Sequence, residues 1–162
     1  MIRDGLQART NDLEGFIRSE KRHLFEKVCL LNAIEQRFGP EVRESVRETK
    51  VNMVLSQWRA IGEEFEERTI HRLMQILWEP MRKRGIVDYD ISSEDERRTS
   101  LRVTKCVFAE LVVNLDISRE WGYDLYCCDD EHIVNGFNPE INFSRSKTLM
   151  EGHNYCDHCY QL

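Results

Sequence analysis

From Asn11 the apolar residues recur at Leu13, Phe16, Ile17, Leu24, Val28, Leu31, Ile34 and Phe38, spaced mostly by three, four or seven. That period predicts one face of a helix, with Asn11 and Glu14 as its cap and Gly39-Pro40 as its stop. Val42, Val46, Met53, Val54, Trp58 and Ile61 continue the period in a second helix from Pro40, which Gly62 and the acidic run 63–67 are expected to interrupt. A third helix is predicted from Ile70, Leu73, Met74, Leu77, Trp78 and Met81, with Pro80 and Gly85 locating its end and Arg82, Lys83 and Arg84 suiting the negative end of its dipole. Cys29, beside the first apolar face, is expected as a small core residue, and the lone His23 and His71 as surface or satisfied histidines.

Past the polar stretch 92–96 the texture changes. Leu101, Val103 and Lys105 alternate with Arg102, Thr104 and Cys106, the two-residue period of a strand, and 108–115 reads as a short helix. Residues 121–126 lead into a pair of cysteines. Ile141-Asn142-Phe143 and Thr148-Leu149-Met150 read as two short antiparallel strands, with a third around 155–160, and Gly136 and Gly152 are expected at turns. The fold class expected is therefore α+β, with a layer of about three helices packed on a small antiparallel sheet from the C-terminal half.

A chain of 162 residues and 19.3 kDa predicts a single domain, 1–162, made of a helical layer (1–85) and an α+β region (86–162). With 41% hydrophobic residues there is material for a packed core. The net charge of -6 argues against a nucleic-acid partner. Charge is also uneven: residues 1–85 carry 16 Lys and Arg against 14 Asp and Glu, whereas 86–162 carry 7 against 15. No apolar run approaches the roughly 20 residues that span a bilayer, so no membrane partner is expected. The first residues lack the apolar core of a secretory signal, and a cytoplasmic location is expected. In a reducing compartment the six cysteines point to metal or catalysis before disulfides.

Five of those cysteines lie after residue 100, most within two clusters, Cys127-Cys128-Asp129-Asp130-Glu131-His132 and His153-Asn154-Tyr155-Cys156-Asp157-His158-Cys159. On a strand, Cys156 and His158 share one face while Asp157 and Cys159 take the other. A thiol beside an imidazole can yield a thiolate nucleophile near neutral pH. Alternatively, Cys127, Cys128, Cys156 and Cys159 could hold zinc. Spacing alone leaves both open, beside a third reading of buried thiols without function.

The order Arg102-Val-Thr-Lys-Cys106, Cys127-x-x-Asp130, Gly136-Phe-Asn-Pro139, Phe143-x-Arg145, Lys147-Thr-Leu-Met-Glu-Gly152 and Cys156-Asp-His158 resembles the L-2-amino-thiazoline-4-carboxylic acid hydrolase family over about 70–162. The resemblance implies a small α+β hydrolase that opens a cyclic amidine to N-carbamoyl-cysteine. It carries over onto Cys106, Cys127, Asp130, Asn138, Arg145, Gly152, Cys156 and Asp157. His158 stands where many relatives carry an aromatic. The closing pattern is also similar to small-molecule-sensing domains related to vinyl-reductase accessory proteins.

With that resemblance the expected site has Cys156, Asp130, Cys127 and His158 as catalytic residues, and Arg145, Asn138 and Cys106 as substrate-binding residues. Cys156 would attack or position a water, Asp130 would move the proton, and Arg145 would grip the substrate carboxylate in a bidentate pair. Arg145 as an ion-pair partner, Asp130 as a helix cap and Cys106 as a core thiol are the plainer readings. No cofactor is required by the hydrolase reading. The alternative is a non-catalytic protein that binds zinc or a small ligand. The expected partner is a small-molecule substrate, and the apolar helix faces suggest a homo-oligomer.

Overall fold

The computed structural model describes residues 2–95 and 97–162, with side chains from residue 12 onward. Among these, α1 (Ile2–Phe38) and α2 (Glu41–Glu63) form a helical hairpin. Gly39 makes the corner at φ 98°, where a Cβ would be strained, and its N–H closes on Glu35 O at 2.8 Å. Helix α1 begins ahead of the cap expected at Asn11, whose side chain lies outside the described residues. Its buried face is Leu24 and Val28, with Leu13, Phe16, Ile17 and Leu31 packed partly against the core. Cys29 is exposed, contrary to expectation, because one residue beyond Val28 turns about 100° away from that face. Leu30, Ile34 and Phe38 stand exposed one turn apart.

Helix α3 spans 70–83 as an α turn Ile70–Leu73, a π turn Met74–Trp78 and a final α segment Glu79–Lys83. Thr69 caps it, its hydroxyl accepting from Arg72 N at 3.1 Å. Pro80 does not end the helix, as the sequence suggested, but sits in the first turn of the last segment. A proline lacks an N–H, and the π turn has already shifted the ladder there, since Glu79 N donates to Met74 O. The chain leaves α3 at Gly85, φ 75°.

Strand β1 (Val87–Glu94) pairs antiparallel with β2 (Arg98–Cys106), which runs directly into α4 (Val107–Asn114). Helix α5 covers 119–137: Arg119–Gly122, a second π turn Tyr123–Cys127, and Asp129–Phe137. Strands β3 (Asn142–Ser144) and β4 (Cys156–Gln161) complete an antiparallel sheet in the order β1-β2-β4-β3. Thr148-Leu149-Met150, expected as a strand, is a turn. Gly152 N and His153 N return to Leu149 O and Thr148 O, which bury Thr148 and Met150 without strand pairing.

Alternation along β2 and β4 turns Thr99, Leu101, Val103, Cys156, His158 and Tyr160 toward the helices. The opposite face carries Arg98, Ser100, Asp157 and Cys159, and among the described residues no helix is long and apolar enough to cross a membrane.

Gly136 lies within α5 and not at a turn. An added Cβ would come 2.8 Å from Leu55 O and 2.8 Å from Trp58 Cβ, so α2 reaches α5 only because this side chain is absent. Gly136→Ala is expected to lower stability by about 1–3 kcal/mol through overpacking, read from urea denaturation midpoints. A change below a few tenths would mean that α2 shifts freely.

Candidate functional site

The second π turn and the strand alternation together bring distant residues to one point. In the π turn, Cys128 N reaches back five residues to Tyr123 O at 2.9 Å. From α2, Lys50 donates to the Leu125 carbonyl and the Asp129 carboxylate, fixing this turn against its neighbour. Asp130 follows in the first turn of the next helical segment and projects toward the sheet.

There it meets Arg145, just past β3, and His158, in the middle of β4. Arg145 Nη1 donates to Asp130 Oδ2, and Nη2 donates to Tyr123 Oη and Cys127 O, each at 3.1 Å. His158 Nε2 lies 3.3 Å from the same Asp130 oxygen. The Arg145 and His158 side chains are 7% and 4% exposed, while Asp130 keeps 22%, so the carboxylate is the water-facing member of the group. Trp78 meets the imidazole edge-on with ring centres 4.9 Å apart, and Phe143 tilts against it at 5.7 Å. Tyr160 Oη accepts from Trp78 Nε1 at 2.9 Å.

His158 Nδ1 is buried and has no hydrogen-bond partner among the described residues. With its proton on Nε2, facing the carboxylate, the imidazole holds a lone pair on Nδ1. An Asp–His pair oriented in this way can take a proton from a bound group, and Arg145 balances the carboxylate charge.

Cys127 contributes its carbonyl to Arg145, and its thiol is raised far above the ordinary range by burial first and by Asp130 second. Cys156 is pushed up to about 11, chiefly by burial, against the pull of Leu149 N, which donates to its sulfur at 3.1 Å. Burial also raises Cys106, opposed by the Phe108 and Ala109 amides at the start of α4. These three thiols sit close enough to influence one another and Asp130, so the structure gathers Cys106, Cys127, Asp130, Arg145, Cys156 and His158. Cys156 and His158 share the inward face as expected, yet the imidazole turns to Asp130.

The remaining expected residues lie elsewhere. Asn138 uses both ends of its amide on backbone, donating to Arg68 O at 2.8 Å and accepting from Glu140 N at 3.0 Å. Asp157 accepts from Ser146 N, Ser146 Oγ and Lys147 N, and these bonds more than offset its desolvation and lower its pKa. Cys128 Sγ turns to Asp124 O at 2.9 Å, and burial raises that thiol to about 11. The four-thiol zinc arrangement is not formed. Cys159 lies on the sheet face opposite Cys156, beside Ser100 Oγ, and among the described residues no three His, Cys, Asp or Glu side chains are grouped to hold a metal ion.

Sequence reasoning missed Tyr123, Trp78, Phe143, Tyr160 and Lys50. Trp78 and Tyr123 come from the π turns, which shift the helical phase by a residue and leave no mark in a 3.6-residue pattern. The alternation of Phe143 and Tyr160 with polar neighbours was the available signal for the other aromatic wall.

Burial of the thiols has two measurable consequences. At pH 7.5, iodoacetamide is expected to label exposed Cys29 ahead of Cys106, Cys127 and Cys156, as resolved by peptide mass spectrometry. Faster labelling of Cys156 would contradict its burial. Because the folded thiols titrate above their unfolded value of 9.0, their contribution to stability is complete below pH 9 and is lost as pH rises through the folded values near 11 for Cys128 and Cys156. Urea midpoints should therefore fall between pH 9 and 11, and a Cys128→Ser/Cys156→Ser variant should show a shallower fall.

Comparison with known proteins bears on this arrangement. The family profile described as L-2-amino-thiazoline-4-carboxylic acid hydrolase matches residues 18–160. No curated protein sequence matches the chain. Among solved structures, the phenol-responsive sensory domain of the transcription activator PoxR, crystallised with phenol, superposes with a TM-score of 0.53 at 8% identity, covering 86% of this chain and 74% of that one. At that identity the likeness concerns the fold alone.

Proposed function

Since the chain belongs to the L-2-amino-thiazoline-4-carboxylic acid hydrolase family, we propose that it hydrolyses a small ring containing nitrogen and sulfur at the Asp130–Arg145–His158 centre. The observation that carries this reading is a carboxylate held between a guanidinium and an imidazole whose other nitrogen is buried without a hydrogen-bond partner among the described residues. In the proposed reaction His158 Nδ1 takes a proton from water as the oxygen bonds to the amidine carbon. That proton passes to the ring nitrogen, and as the carbon–sulfur bond breaks the remaining hydroxyl proton is carried by the same Nδ1 to the departing sulfur, leaving a carbamoyl group and a free thiol. Asp130 stabilises the imidazolium that forms at each proton transfer, and Arg145 fixes the carboxylate's orientation and balances its charge.

Water attack is favoured over a cysteine nucleophile because a thiol raised to about 11 is almost wholly protonated at neutral pH. Cys156→Ser is accordingly expected to keep turnover within about tenfold of the unsubstituted protein. A complete loss, with the fold intact by circular dichroism, would return Cys156 to the nucleophile's role. The test of the function itself is release of thiol from 2-amino-thiazoline-4-carboxylate, followed with a thiol reagent.

A second reading, small-ligand sensing without turnover, is favoured by the aromatic wall of Trp78, Phe143 and Tyr160. The structural neighbour responds to phenol. Saturable binding without product would decide for it.

A further inference from the structure

The turn that delivers Asp130 is itself held from outside. Helix α2 carries Arg47 and Lys50 three residues apart, so both side chains leave the same face of the helix. Arg47 donates through Nε and Nη2 to Asp124 Oδ1 at 3.0 and 2.7 Å, and Lys50 donates to the Leu125 carbonyl and the Asp129 carboxylate. Asp124 and Leu125 lie inside the second π turn, and Asp129 follows it. The two cations therefore grip this turn at both ends. They can do so because Gly136, seven residues beyond Asp129, lets α2 and α5 touch.

The other face of the same turn meets the centre. Tyr123 Oη and Cys127 O accept from Arg145 Nη2, while Asp130, next to Asp129, accepts from Nη1 and lies 3.3 Å from His158 Nε2. Three acceptors of Arg145 and the partner of His158 thus take their places from one turn and the residues just after it. A π turn is an uncommon departure from α geometry, so its position depends on what pins it. The Lys50 and Asp129 side chains are 23% and 17% exposed, whereas Arg47 is 53% exposed above its buried partner Asp124. Water competes less at Lys50, which makes it the firmer of the two anchors.

We propose that Arg47 and Lys50 are positioning residues for the reaction: by clamping the π turn onto α2 they aim the Asp130 carboxylate at His158 Nε2, which keeps the imidazole proton there and leaves Nδ1 as the base. The inference rests on the proposed hydrolase reading and gives α2 a part in turnover, although the two cations bond to Asp124, Leu125 and Asp129 and not to Asp130, Arg145 or His158. The tautomer of an imidazole is set by the bond its other nitrogen makes, so a carboxylate that drifts from Nε2 releases the proton to either nitrogen. A misplacement of about 1 Å among reacting groups can cost on the order of 10²-fold in rate.

The test compares the full chain with its K50M, R47Q, K50R and K50M/D129N variants. Two readouts are taken: thiol release from 2-amino-thiazoline-4-carboxylate, and the ring-nitrogen magnetic resonance signals of His158, assigned by their loss in H158Q. K50M is expected to lower kcat about tenfold with KM changed less than about twofold, since alignment and not binding is lost, and R47Q to lower kcat about two- to threefold. In K50M the two nitrogen signals should draw together as the proton is shared between Nδ1 and Nε2, and K50R should restore part of both readouts. K50M/D129N removes the carboxylate left without its partner, so it is expected to regain stability in urea without regaining turnover. Unchanged His158 signals in K50M, or turnover regained in K50M/D129N together with stability, would overturn the positioning role and leave the hydrolase reading standing. No thiol release by the unsubstituted protein would overturn that reading and this inference with it.

Discussion

Replacing Asp130 with alanine is expected to lower stability by about 3 kcal/mol, measured as a shift in urea-unfolding free energy at constant slope. The reason lies with Arg145. Its side chain is 7% exposed, and without Asp130 its charge would be left to Tyr123 Oη and one backbone carbonyl. The figure sits at the low end of the range for breaking a buried pair, because Asp130 keeps 22% of its own exposure and water can partly replace it. Asp130→Ala combined with Arg145→Leu should recover part of the loss, since the unpaired charge is then removed as well. A single-variant loss below about 1 kcal/mol would assign the pair the energetics of a surface ion pair.

His158→Gln is expected to reduce turnover by about 10²–10⁴-fold while changing stability far less. Glutamine can still donate toward Asp130 from its amide, but it offers no basic nitrogen in place of Nδ1, so proton transfer is lost while most of the packing against Trp78 and Phe143 stays. Ligand binding should persist. Undiminished turnover in this variant would move the proton-handling role away from the imidazole and onto Asp130 alone. Because Asp130 also secures Arg145, the two substitutions are distinguishable: one acts on rate, the other on rate and fold together.

The π turns explain why the site was only half legible beforehand. Cys127 and Asp130 are three residues apart and His158 lies in the second cluster, so the sequence pointed to the right neighbourhood. Alternation also placed Cys156 and His158 on one face and Cys159 on the other, as β4 bears out. That same alternation separates the four thiols proposed for zinc. Yet the partner of His158 is Asp130 and not Cys156, a pairing set by how far α5 approaches the sheet. Gly136 and Gly62 let α2 and α5 come together, and their surroundings are long-range contacts without local sequence pattern.

The sequence by itself determined what depends on neighbours along the chain. The three helices, the strand expected at 101–106, the short helix after it and the strand around 155–160 follow from side-chain period, because burying one face of a regular element fixes where apolar residues must recur, although Ile34, Phe38 and Met53 of the expected helical faces stand exposed. Strand β1 escaped because only Val87 and Tyr89 are buried at its start and the rest is a polar edge interrupted by register shifts. The tertiary structure alone decided which groups pair: Arg145 with Asp130, Lys50 with the π turn, and Arg119 with carbonyls instead of acids. Hydrogen bonds act over about 3 Å, so the chemistry of each side chain was set by contacts between residues as many as 106 positions apart, as between Tyr126 and Glu20.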